Sequence, residues 1–212
     1  MTLISELAAE ILGMDYRIAV VVDGKDASGK TTFADRLATT LGEVTDREVI
    51  RVSLDDFFQP RAIRKRNQDQ ARGCYDDTFD ISAIIAQLLE PYRRGERFVV
   101  KVFDYVSDRI DSVWHAAPHE DAILVVDGVY AQRPELRYFW DLVILLEVDD
   151  AVVEERGVRR DIERIGSYEE AVERYENRYI AAQKLYYEEC NPVATAGIVI
   201  DNTDYDRPVR LN

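Results

Sequence analysis

Short apolar runs rich in β-branched residues alternate along this chain with longer segments in which apolar residues recur at helical spacing. Runs of this kind predict strands that are buried on both faces. They cover residues 16–22, 49–54, 98–103, 122–126 and 142–148, and a last short strand is predicted at 197–200. The segments between them predict helices at 5–12, 31–41, 81–90, 149–164 and 167–189.

The alternation of strands and helices predicts an α/β fold. We expect a three-layer αβα sandwich around a doubly wound, mainly parallel five-stranded sheet, because parallel strands require crossover helices on both faces. The 212 residues suffice for one domain with a sizeable core. No compositional break or internal repeat indicates a second domain, so residues 1–212 are predicted to form one.

The segment between the first strand and the second helix matches the pattern G-x-x-x-x-G-K-[ST]. Its glycines let successive backbone N–H groups point inward, and the helix that follows directs its positive end at the same anion. Polyphosphate is therefore the predicted ligand, with Lys30 on the β- and γ-phosphates and Thr31 beside Mg²⁺. The predicted phosphate contacts are Gly24, Lys25, Asp26, Ala27, Ser28, Gly29, Lys30, Thr31 and Thr32.

Acidic residues follow two of the predicted strands. Asp55 and Asp56 come directly after residues 49–54, and Asp127 follows residues 122–126. Ligands of open parallel sheets bind outside the carboxyl edge, so these carboxylates can face the phosphates. Asp127 is predicted to support Mg²⁺, and Asp55 is a second candidate for that metal. The alternatives are caps of a turn or helix for Asp55 and Asp56, and an Asp-Gly turn for Asp127.

Two segments concentrate basic residues. Residues 59–80 are predicted to form a mobile substrate flap, and their cluster of Arg61, Arg64, Lys65 and Arg66 either faces an anion or is a solvated loop. The predicted helix 149–164 carries Arg156, Arg159, Arg160 and Arg164. Arginines three or four residues apart share a helix face, so several can converge on one anion. Salt bridges to the interleaved acids are the alternative.

The net charge of −14 argues against nucleic acid or an anionic membrane surface as a partner, because both would be repelled. The apolar runs are too short to span a bilayer and no signal peptide opens the chain, so we expect a cytoplasmic protein.

Cys74 and Cys190 are predicted to be free thiols. His115 and His119 have the spacing of helical metal ligands, but the proline between them disfavours that reading.

In its order of motifs the chain resembles the uridine kinase and phosphoribulokinase-like family. The motifs are the phosphate loop, Asp55-Asp56-Phe57-Phe58, Tyr75-Asp76, Asp127-Gly128 and the arginine-rich segment. Nicotinamide riboside kinases are similar too, in the Asp-Asp-Phe-Phe segment followed by Pro60 and Tyr-Asp. The resemblance implies the P-loop nucleoside triphosphate hydrolase fold with a helical lid, at about residues 156–170. It also implies an ATP- and Mg²⁺-dependent kinase that phosphorylates small hydroxylated molecules.

The resemblance also implies roles for single residues. Asp55 would be the base that deprotonates the acceptor hydroxyl, and Arg160 and Arg164 would close over ATP as part of the lid. The acceptor pocket would be formed by Phe58, Tyr75, Asp76, Phe103, Tyr105, Asp108 and Arg109.

Two departures from the family pattern concern the substrate. Asp108 stands in the segment where uridine-cytidine kinases carry a histidine that contacts the pyrimidine, and Gly157 stands where an arginine would touch ribose.

A nucleoside is the predicted acceptor, with nicotinamide riboside, a sugar phosphate or another small metabolite as alternatives. A non-catalytic nucleotide-binding or switch protein is the alternative from another class, although the Asn-Lys pair of the guanine-reading motif is absent. The preference for ATP over GTP and a possible homo-oligomer stay open.

Overall fold

A mostly parallel sheet carries the phosphate loop at the end of a central strand. The structure is a computed structural model that describes residues 2–212. Its strands are β1 (Ile18–Gly24), β2 (Val49–Ser53), β3 (Phe98–Asp104), β4 (Arg109–His115), β5 (Ile123–Gly128), β6 (Leu142–Glu147), β7 (Ile198–Asp201) and β8 (Val209–Arg210). The order in the central sheet is β2-β5-β1-β6-β7-β8, and only β8 runs antiparallel to its neighbour.

Helices cover both faces of this sheet. The shorter ones are α1 (Leu3–Leu12), α3 (Arg61–Arg64), α4 (Gln70–Asp77) and α8 (Pro192–Thr195), and the phosphate loop leads into α2 (Lys30–Val44). Helix α5 comprises Ile81–Ala83, a π-helical stretch Ile84–Leu89 and Glu90–Arg94. Helix α6 spans Asp150–Ile165, and α7 comprises Tyr168–Arg174, a π-helical stretch Tyr175–Ile180 and Ala181–Cys190.

The central strands are buried on both faces. In β1, Ile18, Val20 and Val22 pack in a cluster with α1 and α2, whereas Ala19 and Val21 belong to the cluster on the opposite face, with α4, α5 and the end of α7. Alternate residues of a strand point to opposite faces, which explains why the sequence is continuously apolar there. The predicted three-layer α/β fold with a doubly wound, mainly parallel sheet is confirmed, but the sheet has six strands instead of the predicted five, because the short strand β8 pairs antiparallel with β7 at its edge.

One predicted strand does not join the central sheet. Residues 98–103 are extended, but β3 pairs antiparallel with β4 in a separate two-stranded sheet. Only four residues separate the two strands, too few for the crossover that parallel neighbours need. His115 therefore ends a strand that the sequence pattern did not predict. Its Nε2 atom lies 3.7 Å from Glu48.

Three smaller features of the fold concern the thiols, the predicted flap and the length of the helices. The buried Cys74 and Cys190 are free thiols, as predicted. Residues 59–80, predicted to be a flap, contain α3 and α4. No helix in the described part of the chain is both long and apolar enough to cross a membrane.

A third, smaller cluster joins α6 to the first half of α7. Tyr175 is buried there with Val153, Val158 and Ala171. A Cβ atom on Gly157 would lie 2.0 Å from the Tyr175 ring. The glycine at this position therefore lets the tyrosine pack against the backbone of α6, which leaves no space for the arginine side chain of the family pattern.

Replacement of Gly157 tests this packing. We expect Gly157→Ala to lower the free energy of unfolding by roughly 1–3 kcal/mol, because the added methyl group overpacks the contact with Tyr175. Gly42→Ala in α2 is the matched control, since nothing lies within 4 Å of its Cβ position, and it should raise stability by roughly 0.5–1 kcal/mol. Urea unfolding measures both. An equal gain in stability for the two variants would contradict this account of Gly157.

Candidate active site

The phosphate loop lies between β1 and α2 at the carboxyl edge of the sheet. Gly29, directly before α2, has a φ of 88°, a left-handed conformation that glycine adopts without strain. A Cβ atom on Gly29 would also lie 2.4 Å from the ring of Tyr205. Glycine is therefore needed here for the backbone conformation and for the close approach of a C-terminal side chain.

Two side chains from the C-terminal segment hold the loop in place. Asn202 Nδ2 donates a hydrogen bond to the Ser28 carbonyl oxygen at 2.7 Å, and the Tyr205 hydroxyl donates to the Ala27 carbonyl oxygen at 3.1 Å. The two contacts span 174 and 178 residues of chain. No local sequence pattern could have indicated them.

The two lysines of the loop make different contacts. Lys30 Nζ donates to the Lys25 carbonyl oxygen at 3.1 Å, so its ammonium group lies over the loop. Lys25 Nζ instead donates to the Val148 carbonyl oxygen at 3.0 Å and to Asp150 at 2.7 Å. Lys25 thus ties the loop to the start of α6, and Lys30 is the lysine available to a phosphate.

Asp127, at the end of β5, is buried with both carboxylate oxygens engaged. Oδ2 accepts a hydrogen bond from Thr31 Oγ1 at 2.6 Å, and Oδ1 accepts one from Arg51 at 2.6 Å. Arg51 also contacts Asp35 at 2.9 Å. A buried carboxylate needs such partners, because an unpaired charge in the interior is costly.

The donor atoms at this point fit a magnesium ion. Hydroxyl and carboxylate oxygens are hard ligands, and those of Thr31 and Asp127 are adjacent. Asp55 is near enough for the Asp127 charge to act on it. Within residues 2–212, no group of three or more His, Cys, Asp or Glu side chains is arranged to hold a metal. The protein would therefore supply few ligands, as is usual for Mg²⁺ bound with phosphates and water.

Asp55 lies in a 3₁₀ turn, Leu54–Phe57, directly after β2. Its side chain is exposed to the adjoining cavity. Desolvation by the surrounding protein raises the pKa of its carboxyl group to about 6. The Lys30 ammonium lowers this pKa, and neighbouring carboxylates, Asp127 foremost, raise it. A carboxyl group that titrates close to neutral pH can accept a proton during a reaction.

A cavity of about 420 Å³ opens beside Asp55. This volume lies in the range of small-molecule sites. Eight of the predicted site residues line it, namely Asp26, Lys30, Asp55, Phe58, Phe103, Tyr105, Arg160 and Arg164. A second cavity, of about 260 Å³, runs along the phosphate loop and is lined by Ala27, Gly29, Lys30, Thr31, Thr32, Arg156, Arg159, Arg160 and Tyr205. Lys30 and Arg160 line both cavities, so the predicted nucleotide and acceptor sides are adjacent.

Acidic partners hold the two predicted lid arginines at the cavity. Arg160 lies 3.2 Å from Asp26 and 3.1 Å from Asp161. Arg164 lies 3.0 Å from Asp161, and its other terminal nitrogen donates to the Tyr105 hydroxyl at 3.3 Å. The alternative of salt bridges therefore holds for Arg160 and Arg164, which also line the cavity, and their binding of an anion stays a prediction.

Four residues predicted to bind substrate do not line the cavity. Tyr75 is buried edge-on against Tyr130, with ring centroids 5.2 Å apart, because its face of α4 packs into the core. Asp76 pairs with Arg72 at 2.9 Å. Asp108 accepts a hydrogen bond from the Arg61 backbone at 2.9 Å, and Arg109 is exposed at the start of β4.

Other residues that line the cavity are absent from the predicted catalytic and substrate-binding residues. They are Ser53, Asp56, Cys74, Thr78, Val129, Tyr130, Asp161, Arg178, Tyr179 and Gln183. Val129 and Tyr130 follow Asp127 by two and three residues, so the strand-end argument that selected Asp127 could have found them. Tyr179 lies on α7, where its ring centroid is 5.0 Å from that of Tyr175. Gln183 lies on the same helix and has no sequence signal of its own.

The basic cluster of the predicted flap is divided in the structure. Arg64 lines the cavity, with its guanidinium 5.4 Å from the Phe58 ring centroid and 4.8 Å from that of Tyr105. Arg66 pairs with Asp77 at 2.5 Å, away from the cavity. Lys65 is exposed, and its pKa is lowered by partial desolvation and then by neighbouring guanidinium groups.

Comparison with known proteins decides the family. The sequence model of the phosphoribulokinase / uridine kinase family matches residues 18–198. The chain belongs to this family. It is therefore a P-loop phosphotransferase that acts on a hydroxyl group of a small molecule, and the predicted family and enzyme class are confirmed.

Relatives of this kinase support the same assignment. It is 26% identical over 198 residues to the uridine kinase of Lactococcus lactis subsp. cremoris (strain MG1363), covering 88% of this chain and 93% of the relative. A solved structure described as a possible uridine kinase from Bacillus stearothermophilus is 25% identical, with a TM-score of 0.74 and coverage of 92% and 96%. A D-glycerate 3-kinase from Cryptococcus neoformans is 13% identical over the full length of both chains, with a TM-score of 0.65, and shares the fold.

The electrostatics of Asp55 give a prediction for the isolated kinase. Lys30→Met removes the cation that stabilises the ionised carboxyl group, so we expect the pKa of Asp55 to rise above about 6. Carbon-detected NMR titration of labelled aspartate measures this shift. Asp104 serves as the internal reference, because hydrogen bonds from Ser107 and Lys101 hold its pKa at about 2 in both proteins. An unchanged Asp55 pKa would show that the two charges do not interact.

Proposed function

We propose that this kinase transfers the γ-phosphoryl group of ATP to a hydroxyl group of a nucleoside bound in the 420 Å³ cavity. One observation carries the proposal: Asp55, with its raised pKa, and the loop lysine Lys30 line the same cavity. A proton acceptor and a phosphate-binding cation are thereby next to each other. The names of the curated relatives, which are uridine kinases, support a nucleoside as the acceptor.

The chemistry follows from the position of these groups. Asp55 accepts the proton of the acceptor hydroxyl, whose oxygen forms a bond to the γ-phosphorus as the bond to the β,γ-bridging oxygen breaks. The products are the phosphorylated acceptor and ADP. Lys30 stabilises the charge on the phosphates, so that catalysis consists mostly of positioning and charge neutralisation. At pH 7 most Asp55 side chains are ionised and ready to accept the proton, given a pKa of about 6.

The metal and the lid complete the proposed site. Thr31 and Asp127 would hold Mg²⁺, which neutralises charge on the β- and γ-phosphates when it is bound. Residues 156–170 act as the lid, in which Arg160 and Arg164 bind the transferring group and exclude water. Residues 59–80 act as the flap over the acceptor.

Aromatic side chains support a nucleoside on the acceptor side. Phe58, Phe103 and Tyr105 line the cavity, and the Phe58 and Tyr105 rings lie 5.4 Å apart at an angle of 60°. Flat apolar rings of this kind suit a heterocyclic base, whereas the neighbouring polar groups suit a sugar.

A second candidate, an acceptor that carries a phosphate or carboxylate, is favoured by two cavity arginines. Arg178 donates to the Arg64 carbonyl oxygen at 3.3 Å and has no acidic partner within 4 Å among residues 2–212. Arg64 has a single distant one, Asp108 at 3.7 Å.

Substitution of Asp55 tests the proposed base. We expect Asp55→Asn to lower kcat by 10²- to 10⁴-fold, roughly the contribution of a general base, while ATP still binds. A coupled assay of ADP formation and calorimetry with a non-hydrolysable ATP analogue measure the two quantities. Asp56→Asn, a change of the adjacent carboxylate, should keep at least about a tenth of the activity. Comparable kcat values for Asp55→Asn and the wild type would sink the assignment.

A panel of acceptors tests the substrate class. With ATP and Mg²⁺, uridine or cytidine should stimulate ADP formation far above the background without acceptor, because the cavity would hold base and sugar together. Nicotinamide riboside, pantothenate, glycerate and sugar phosphates complete the panel. Stimulation by a sugar phosphate alone would replace the nucleoside with the second candidate. ADP formation that no acceptor stimulates would instead indicate a hydrolase or switch.

A further inference from the structure

One polar side chain in the cavity wall lacks a hydrogen-bond partner. Gln183, in the last part of α7, is only 3% exposed and lines the 420 Å³ cavity. Its Oε1 atom is enclosed and accepts no hydrogen bond from any group within residues 2–212. Enclosed polar atoms are normally bonded, because a buried acceptor without a donor costs free energy.

Three donors that line the same cavity make hydrogen bonds to groups other than Gln183. Thr78 Oγ1 donates to the Cys74 carbonyl oxygen at 2.5 Å, and the Tyr130 hydroxyl lies 3.7 Å from the Cys74 sulfur. Arg178 donates to a backbone carbonyl of the flap. Gln183 Oε1 accepts from none of these donors, and a molecule bound in the cavity can supply the donor that it lacks.

A second buried glutamine, Gln132, has hydrogen-bond partners for its side-chain amide. Gln132 is 1% exposed, and both ends of its amide are bonded within the protein. Nε2 donates to Asp23 at 2.9 Å, and Oε1 accepts from Thr195 Oγ1 at 2.6 Å. Gln132 is thus the structural glutamine of this fold, and it provides a matched comparison for Gln183.

We propose that Gln183 selects the acceptor by accepting a hydrogen bond from a neutral donor on it, either an N–H of the base or an O–H of the sugar. This inference rests on the proposed function, since it assigns a specificity residue to the same cavity. A site built to bond a polar substrate group discriminates strongly against an analogue that lacks the group, because the protein atom is then left unpaired. Gln183 would thus reject acceptors that match in shape but lack the donor.

Melting temperatures of two leucine variants form the first arm of the test. Leucine cannot be left with an unsatisfied polar atom, so Gln183→Leu should leave the Tm of the free protein unchanged or raise it by about 2–4 °C. Gln132→Leu should lower the Tm by more than about 4 °C, because it removes two hydrogen bonds and leaves Asp23 short of one donor. Equal losses for both variants would overturn the proposal, whichever acceptor the kinase uses.

Kinetics with analogues form the second arm. Gln183→Leu should raise the KM for uridine about tenfold or more and leave kcat largely unchanged. This pattern is expected when the lost contact stabilises the bound substrate and the transition state equally. The N–H is removed in 3-methyluridine, and single O–H groups are removed in 2′-deoxyuridine and 3′-deoxyuridine. The analogue that lacks the bonded donor should be about tenfold poorer for the wild type and no poorer than uridine for Gln183→Leu.

The outcomes separate this inference from the proposed function. If every analogue loses the same factor in both proteins, Gln183 bonds none of these donors and the inference fails while the kinase assignment stands. If the wild type phosphorylates no nucleoside, the proposed acceptor class fails. The Tm comparison then still decides whether Gln183 is an unsatisfied group or a structural one.

Discussion

The site depends on one buried carboxylate with two fixed partners. Asp127 lies near the end of β5, the strand between β1 and β2, where it is in register with Val22 on one side and Ser53 on the other. Thr31 reaches it from the helix after β1, and Arg51 reaches it from β2. Removal of either partner would leave a buried charge poorly compensated. The phosphate loop and the strand that carries Asp55 are therefore tied to a common point.

Charge is balanced locally around this point, although the chain as a whole carries −14. Arg160 is paired with Asp26, Arg164 is paired with Asp161, and Tyr175 donates a hydrogen bond to Asp161 at 2.8 Å. The same tyrosine fills the space that Gly157 leaves on α6. Guanidinium groups held by acids are already oriented before a ligand enters, so little conformational entropy remains to be lost on binding.

Much of the fold was predictable because its signals are local. The phosphate loop, the apolar runs and the acids at strand ends each lie within a few residues of one another, and parallel pairing then brings the strand ends to one edge. Residues 109–115 carry no comparable pattern, because their apolar residues, Ile110, Val113 and Trp114, do not alternate with polar ones. All three side chains are exposed in the structure. Their pairing with β3 was therefore missed. Tyr75 shows a second limit, because its motif does not reveal which side of α4 faces the core. The unsatisfied state of Gln183 depends on atoms from distant segments and has no sequence signature.

The reaction proposed for this cavity is phosphoryl transfer from ATP to a hydroxyl group of the acceptor. Phosphorus NMR of a reaction with ATP, Mg²⁺ and uridine tests it most directly, because the spectrum identifies every phosphorus-containing product. We expect a phosphomonoester of the acceptor and ADP to appear in equal amounts, with little inorganic phosphate. ADP accompanied by an equal amount of inorganic phosphate, with every acceptor of the panel left unphosphorylated, would contradict it.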